Sequence, residues 1–88
     1  MVWKIGLRRV RMVEEIKAPI PGKILSIECK VNDSVKSDQV LLILEAMKME
    51  NEIRSDSSGV VKEIKVKEGD FVQSGVTLIV IGEEKGKN

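Results

Sequence analysis

At 88 residues the chain has room for one small domain, which buries only about 60–65% of the surface its unfolded form exposes, so the core is modest. It contains no His and no Tyr, a single Cys that can form no internal disulfide, and only Trp3 and Phe71 as aromatics, which excludes a His-dependent triad, a zinc site and an aromatic base-stacking platform. The net charge of +1 is uneven: residues 1–12 hold Lys4, Arg8, Arg9 and Arg11 and no acid, leaving eleven bases against fourteen acids, net −3 and interspersed in sign, over residues 13–88, so no nucleic-acid partner is expected.

In chain order, Trp3, Ile5 and Leu7 alternate like a strand and run into Arg8-Arg9-Val10-Arg11, which reads as a linker or the end of an upstream segment. Residues 1–12 are therefore expected to be a poorly ordered N-terminal extension, ahead of one domain at 13–83 and a tail at 84–88. Pro19-Ile20-Pro21-Gly22 rules out a helix at the start of the domain. Lys23–Ile27 is a short strand, Asn32–Asp33 a turn, and Val40–Leu44 a continuous apolar run suited to a strand buried on both faces. Beyond a connecting segment the same order returns: strand Val60–Val66, turn Gly69–Asp70, strand Val76–Ile81.

The recurrence is an internal repeat. Offset by 37, residues 22–44 lie over 59–81 without a gap, with identities at Gly22/Gly59, Ile27/Ile64, Lys30/Lys67, Asp33/Asp70, Val35/Val72, Ser37/Ser74 and Leu41/Leu78. Seven of 23 stands against about two expected by chance for such a composition. Asn32 pairs with Gly69 and Asp38 with Gly75, the residue types that tolerate positive φ, which predicts the same turn geometry in both halves. The fold class is all-β: a flattened barrel or sandwich of two halves related by an approximate two-fold axis. The two-fold places the connecting hairpin at one pole and both chain ends at the other.

That hairpin reads Glu45-Ala46-Met47-Lys48-Met49-Glu50, with none of the Gly, Asn, Asp or Pro that turn tips favour. Two Met bracketing a Lys at the hinge of the repeat mark a functional tip. Cys29 pairs with Val66 and is expected to be a small buried hydrophobe. Asp33 and Asp70 are expected to close turns, not to bind metal, and Phe71, whose mate is Ser34, to pack under the barrel end. Glu45, Glu50 and Glu52 form a solvated collar.

With these residues the chain resembles the biotin carboxyl carrier, or biotinyl, domains. Glu45-Ala46-Met47-Lys48-Met49-Glu50 matches the family's attachment motif, and Ala18-Pro19-Ile20-Pro21-Gly22 is similar to its Ala-Pro-Met-Pro-Gly. Gly59-Val60-Val61-Lys62-Glu63-Ile64 and Glu68-Gly69-Asp70-Phe71-Val72 resemble its second half, and the resemblance covers residues 14–82. Asn32 and Asp38 stand where the family usually has Gly, and Ser55-Asp56 where Ala-Pro is common, departures that bear on loop rigidity and not on modification.

The resemblance implies that Lys48 carries covalent biotin and that Glu45, Ala46, Met47, Met49 and Glu50 are read by a biotin protein ligase. Lysine amines are almost wholly protonated at neutral pH, so that ligase must supply both the activated acyl group and the base. It further implies a non-catalytic carrier passing a carboxyl group from a biotin carboxylase to a carboxyltransferase or decarboxylase, as a tethered reactant at high local concentration. The gapless repeat leaves no room for the protruding thumb of some acetyl-CoA carboxylase carriers, which points to pyruvate, oxaloacetate, propionyl-CoA or methylmalonyl-CoA systems. The alternatives are an acetyl-CoA carboxylase carrier, or a lipoyl carrier, whose hairpin lysine usually stands in Asp-Lys-Ala. No signal peptide and no apolar run of the ~18 residues that span a membrane can be read. A cytoplasmic location without direct membrane insertion is expected, with membrane association only through a decarboxylase partner.

Overall fold

The computed structural model describes residues 13–83; the arm expected at residues 1–12 and the tail at 84–88 lie outside the described residues. Eight strands make up the domain: β1 (Glu14–Lys17), β2 (Gly22–Ile27), β3 (Ser34–Val35), β4 (Val40–Ala46), β5 (Met49–Arg54), β6 (Gly59–Ile64), β7 (Phe71–Val72) and β8 (Thr77–Gly82). The offset of 37 carries β2 onto β6, β3 onto β7, the start of β4 onto that of β8, and β1 onto β5. The repeat is therefore four strands long, beginning one strand before the segment in which identities can be seen.

Two four-stranded sheets pack face to face, in the orders β1-β8-β6-β3 and β5-β4-β2-β7. Exchanging the halves converts one order into the other, so the approximate two-fold axis holds for the whole topology. Each sheet takes strands from both halves. The outer strands β1, β3, β5 and β7 each pair with a strand of the other half, and three of them, β1, β3 and β7, are only two to four residues long, too short to form a stable ladder by themselves.

The turns obey the repeat as well. Asn32 and Gly69 have φ of 79° and 95°, and Asp38 and Gly75 have 71° and 87°, as their pairing predicted. The Lys30 and Lys67 amides each donate to the side chain three residues on, at 2.9 Å to Asp33 Oδ2 and to Asp70 Oδ2. Both aspartates serve as turn closures. Between the loops, Asn32 N–H donates to Val61 O and Gly69 N–H to Ile24 O, again repeat equivalents.

Gly22 and Gly59 are identical across the halves for a steric reason. A Cβ on Gly22 would lie 2.3 Å from the Glu45 carbonyl oxygen, and one on Gly59 2.4 Å from that of Gly82. Each glycine lets its strand close directly against the backbone of a neighbour.

The core runs between the sheets: Ile24, Leu41, Leu42, Leu44, Val61, Leu78 and Ile79 have no accessible surface, and each such side chain contributes about 1.5–3 kcal/mol by leaving water. The run Val40–Leu44 was expected to be covered on both faces, and here the structure differs. Val40 and Ile43 are only half-buried, and the adjacent pair Leu41 and Leu42 is buried because a bulge places Leu41 between the register pairs Val40↔Arg54 and Leu42↔Ile53. The same irregularity leaves Leu78 between Ile16↔Ile79 and Lys17↔Thr77, burying its neighbour Ile79 as well. Consecutive apolar residues thus report a bulge, not a doubly covered strand.

Cys29 is buried, as is its mate Val66, and burial together with the Asp33 and Glu28 carboxylates pushes the Cys29 thiol pKa up. Phe71 does not pack under the barrel end: it is 77% exposed on the short edge strand β7, which gives the ring no covering layer. Ser55, in place of the expected Ala, is buried with its hydroxyl donating to Ser57 O at 2.5 Å, while Ser37 Oγ donates to Asp56 O. That turn is held by hydrogen bonds instead of proline. No helix of the described residues is long and apolar enough to cross a membrane.

Candidate functional site

The β4–β5 hairpin rises at one pole. β1 and β8, whose pairing reaches Glu14↔Ile81, bring the two ends of the described chain together at the equivalent position on the opposite pole. β4 and β5 stay in register up to Ala46↔Met49, so the loop is only two residues, Met47-Lys48. Both have positive φ, 55° and 63°, the requirement of a type I′ turn, whose twist matches that of the strands it joins.

Asn-Gly would adopt this turn with little strain, whereas residues with a Cβ cost roughly 1–2 kcal/mol each in the left-handed region. The strained pair persists because the frame beneath it determines its path. Ala46 is buried at the top of the sandwich, Gly22 closes against Glu45 and Ala46, and β4 is paired on both edges. Asn51 adds a brace: its side-chain amide donates to Leu44 O and Met49 O, at 3.3 Å each.

The residues singled out by sequence separate into distinct roles. Ala46 is an anchor with 6% exposure, whereas Met47 and Met49 are 83% and 62% exposed and do not tuck into the core. Lys48 is exposed at the tip, and among the described residues no ion pair or side-chain hydrogen bond engages its ammonium. Glu45 and Glu50 face each other directly across the hairpin, a like-charge pairing that costs a few tenths of a kcal/mol, and Lys23 lies in register with Glu45 on the next strand. Glu52, further down, forms an ion pair with Arg54, which also reaches Asp38. The three glutamates do form an exposed collar.

Chemically, this is a primary amine presented on a rigid turn, flanked by apolar side chains that an approaching enzyme can grip. Acylation would remove its charge and convert the side chain into a neutral tether. The open amine and the clear tip fit a group attached by an amide bond, and no pocket has to form around it.

Three further residues belong to this pole that sequence reasoning missed as site residues. Asn51 carried a signal, being a polar residue two positions before Ile53 and so on the inward side of a strand. Lys23 and Phe71 form a second pair, with the ammonium 5.9 Å from the ring centroid. The mismatch of Phe71 with Ser34 across the repeat was its only mark in the sequence.

Comparison with known proteins agrees with this geometry. Residues 14–81 match the Biotin_lipoyl family, described as biotin-requiring enzyme. Over 35 residues the chain is 57% identical to methylmalonyl-CoA decarboxylase subunit gamma of Veillonella parvula, covering 40% of this chain and 27% of that one. Over 33 residues it is 61% identical to glutaconyl-CoA decarboxylase subunit gamma of Acidaminococcus fermentans, covering 38% and 23%. The aligned stretches thus span about a quarter of these relatives. Among solved structures, urea carboxylase of Kluyveromyces lactis superposes with a TM-score of 0.76 at 31% identity, over 80% of this chain and 6% of that one. With its interlocked two-fold sandwich and its lysine-tipped hairpin, the chain belongs to the biotin-requiring enzyme family, as a biotin carrier domain.

Proposed function

We propose that Lys48 is the residue to which biotin is attached, and that the chain serves as the non-catalytic carrier of a multi-component biotin-dependent enzyme. The observation that carries this reading is the strained turn: a Met-Lys pair at positive φ, placed where Asn-Gly would be easier, on the exposed tip of a braced hairpin. A biotin protein ligase reads Met47 and Met49 as protruding apolar contacts, Glu45 and Glu50 as flanking acids, and Ala46 as the small residue that seats the turn. Attached there, biotin supplies a carrier for a carboxyl group between partner active sites. The chain's own contribution is to hold the attachment point clear of the domain and to keep the arm tethered.

The relatives named above are subunits of CoA-ester decarboxylases, and the gapless repeat leaves the first half without an inserted thumb. Both support a decarboxylase acting on a CoA thioester, with a carboxyltransferase or decarboxylase subunit as partner. Expression of the chain with a biotin ligase tests the attachment. The intact mass should rise by one biotinyl group, and Lys48→Arg should abolish the rise. An unchanged mass, or an increment matching lipoate, contradicts the reading. Reconstitution with candidate transferases tests the partner: turnover only with an acetyl-CoA carboxylase transferase would rule out the decarboxylase assignment.

A further inference from the structure

The register aligns four outward-facing residues in one row beside the hairpin: Phe71 on β7, Lys23 on β2, Glu45 on β4 and Glu50 on β5. The two-fold supplies an internal control for this row. Its equivalent on the other sheet is Ser34, Val60 and Gly82, also in register. The fold thus builds the same row at the opposite pole without an aromatic ring or a charge. Packing does not call for Phe71, since it is 77% exposed. What distinguishes the two rows is that only one lies beside Lys48.

We propose that Phe71 is a resting platform for the biotinyl group carried by Lys48, an inference that rests on the attachment reading above. Reach permits it: two strand spacings sideways and two residues along β4 place Phe71 roughly 12 Å from the tip. The Lys48 side chain and the five-carbon acyl chain together extend to about 13 Å at the pitch of an extended chain. The chemistry fits too. The fused ring of biotin presents a thioether and aliphatic C–H groups, which associate with an aromatic face, and Phe71 offers an open face of that kind. Lys23 stands over the ring, fixing its orientation through a cation–π contact while most of its surface remains exposed.

Contacts of this class favour the docked arm over the free arm by about 2- to 10-fold. The arm then rests on its own domain between encounters and is released at small cost when a partner site competes for it.

The test uses the full 88-residue chain, biotinylated and unmodified. Intact mass and fragmentation first establish one biotinyl group on Lys48; if it is absent or elsewhere, the attachment reading fails, and the platform with it. On the correctly modified chain, NMR should show Phe71 ring protons close to the biotin ring, and amide shifts at Lys23 and Asp70–Val72 on biotinylation. Phe71→Ser, the residue of the equivalent row, should abolish those shifts and speed capture by streptavidin about 2- to 10-fold, with Phe71→Leu in between. Correct modification with shifts confined to Ala46–Met49 and unchanged capture would overturn the platform. So would shifts at Phe71 that grow with protein concentration, which would assign the ring to contact with a second copy.

Discussion

Five turns in this domain need positive φ, and they fall into two groups. In the four turns related by the repeat, the positions are filled by Asn32, Asp38, Gly69 and Gly75, residues suited to that backbone. At the hairpin between the halves they are filled by Met47 and Lys48, which are not. The same chain therefore has suitable turn chemistry at the four turns related by the repeat, and departs from it at the exposed tip of the hairpin between the halves. Local strain borne by a rigid frame is a physical mark of function, and here the repeat supplies the unstrained reference within one molecule.

The largest expected effect comes from the two glycines that let the strands close. Gly22→Ala and Gly59→Ala each place a Cβ against a carbonyl oxygen and should lower stability by about 1–3 kcal/mol in chemical denaturation. Only Gly22→Ala, beneath the hairpin, should also slow biotinylation of the folded fraction. Equal slowing by both would mean that the ligase senses general stability and not the seat of the turn.

A smaller effect separates the two classes of turn. Gly69→Val should destabilise by about 1–2 kcal/mol through backbone strain alone, since nothing lies within 4 Å of its added Cβ, while Gly69→Asn, copying Asn32, should cost little. Met47→Gly should do the reverse, raising stability by up to about 1 kcal/mol while slowing ligation. A Met47→Gly chain that is biotinylated at the original rate would remove Met47 from recognition.

Ser55→Ala, which restores the residue of its mate Ala18, removes a buried hydroxyl bonded to Ser57 O and should cost about 0.5–1.5 kcal/mol by thermal melting. The smallest effect at neutral pH belongs to Cys29. Its thiol pKa is raised in the folded state, so the unfolded chain ionises first; stability is retained below the ordinary thiol pKa of about 8.5 and falls as pH rises beyond it. Cys29→Val, copying Val66, should leave neutral stability nearly unchanged and flatten that alkaline decline. An unaltered decline in Cys29→Val would place its origin elsewhere.

Much of this was legible in the sequence, for reasons the structure makes concrete. The repeat identities at Gly22/Gly59, Asp33/Asp70 and Leu41/Leu78 mark backbone clearance, turn closure and bulge position, which are constraints of geometry that both halves must meet. The hairpin was legible because it breaks turn chemistry. What escaped was whatever depends on pairing between the halves. The exchange of strands between sheets is a long-range pairing that no local pattern marks, and the bulge at Leu41 looks in sequence like a fully buried strand. Phe71 was misplaced because an apolar residue beside Val72 reads as core, whereas alternation on an edge strand turns it outward.

The central claim, that the domain exists to present one lysine, is tested most directly by site-resolved mass spectrometry of the chain after ligation. Eleven lysines compete for modification, most of them on the surface. The account predicts a single biotinyl group on Lys48 and none on the other ten; biotin distributed over several lysines, or retained in Lys48→Arg, would contradict it.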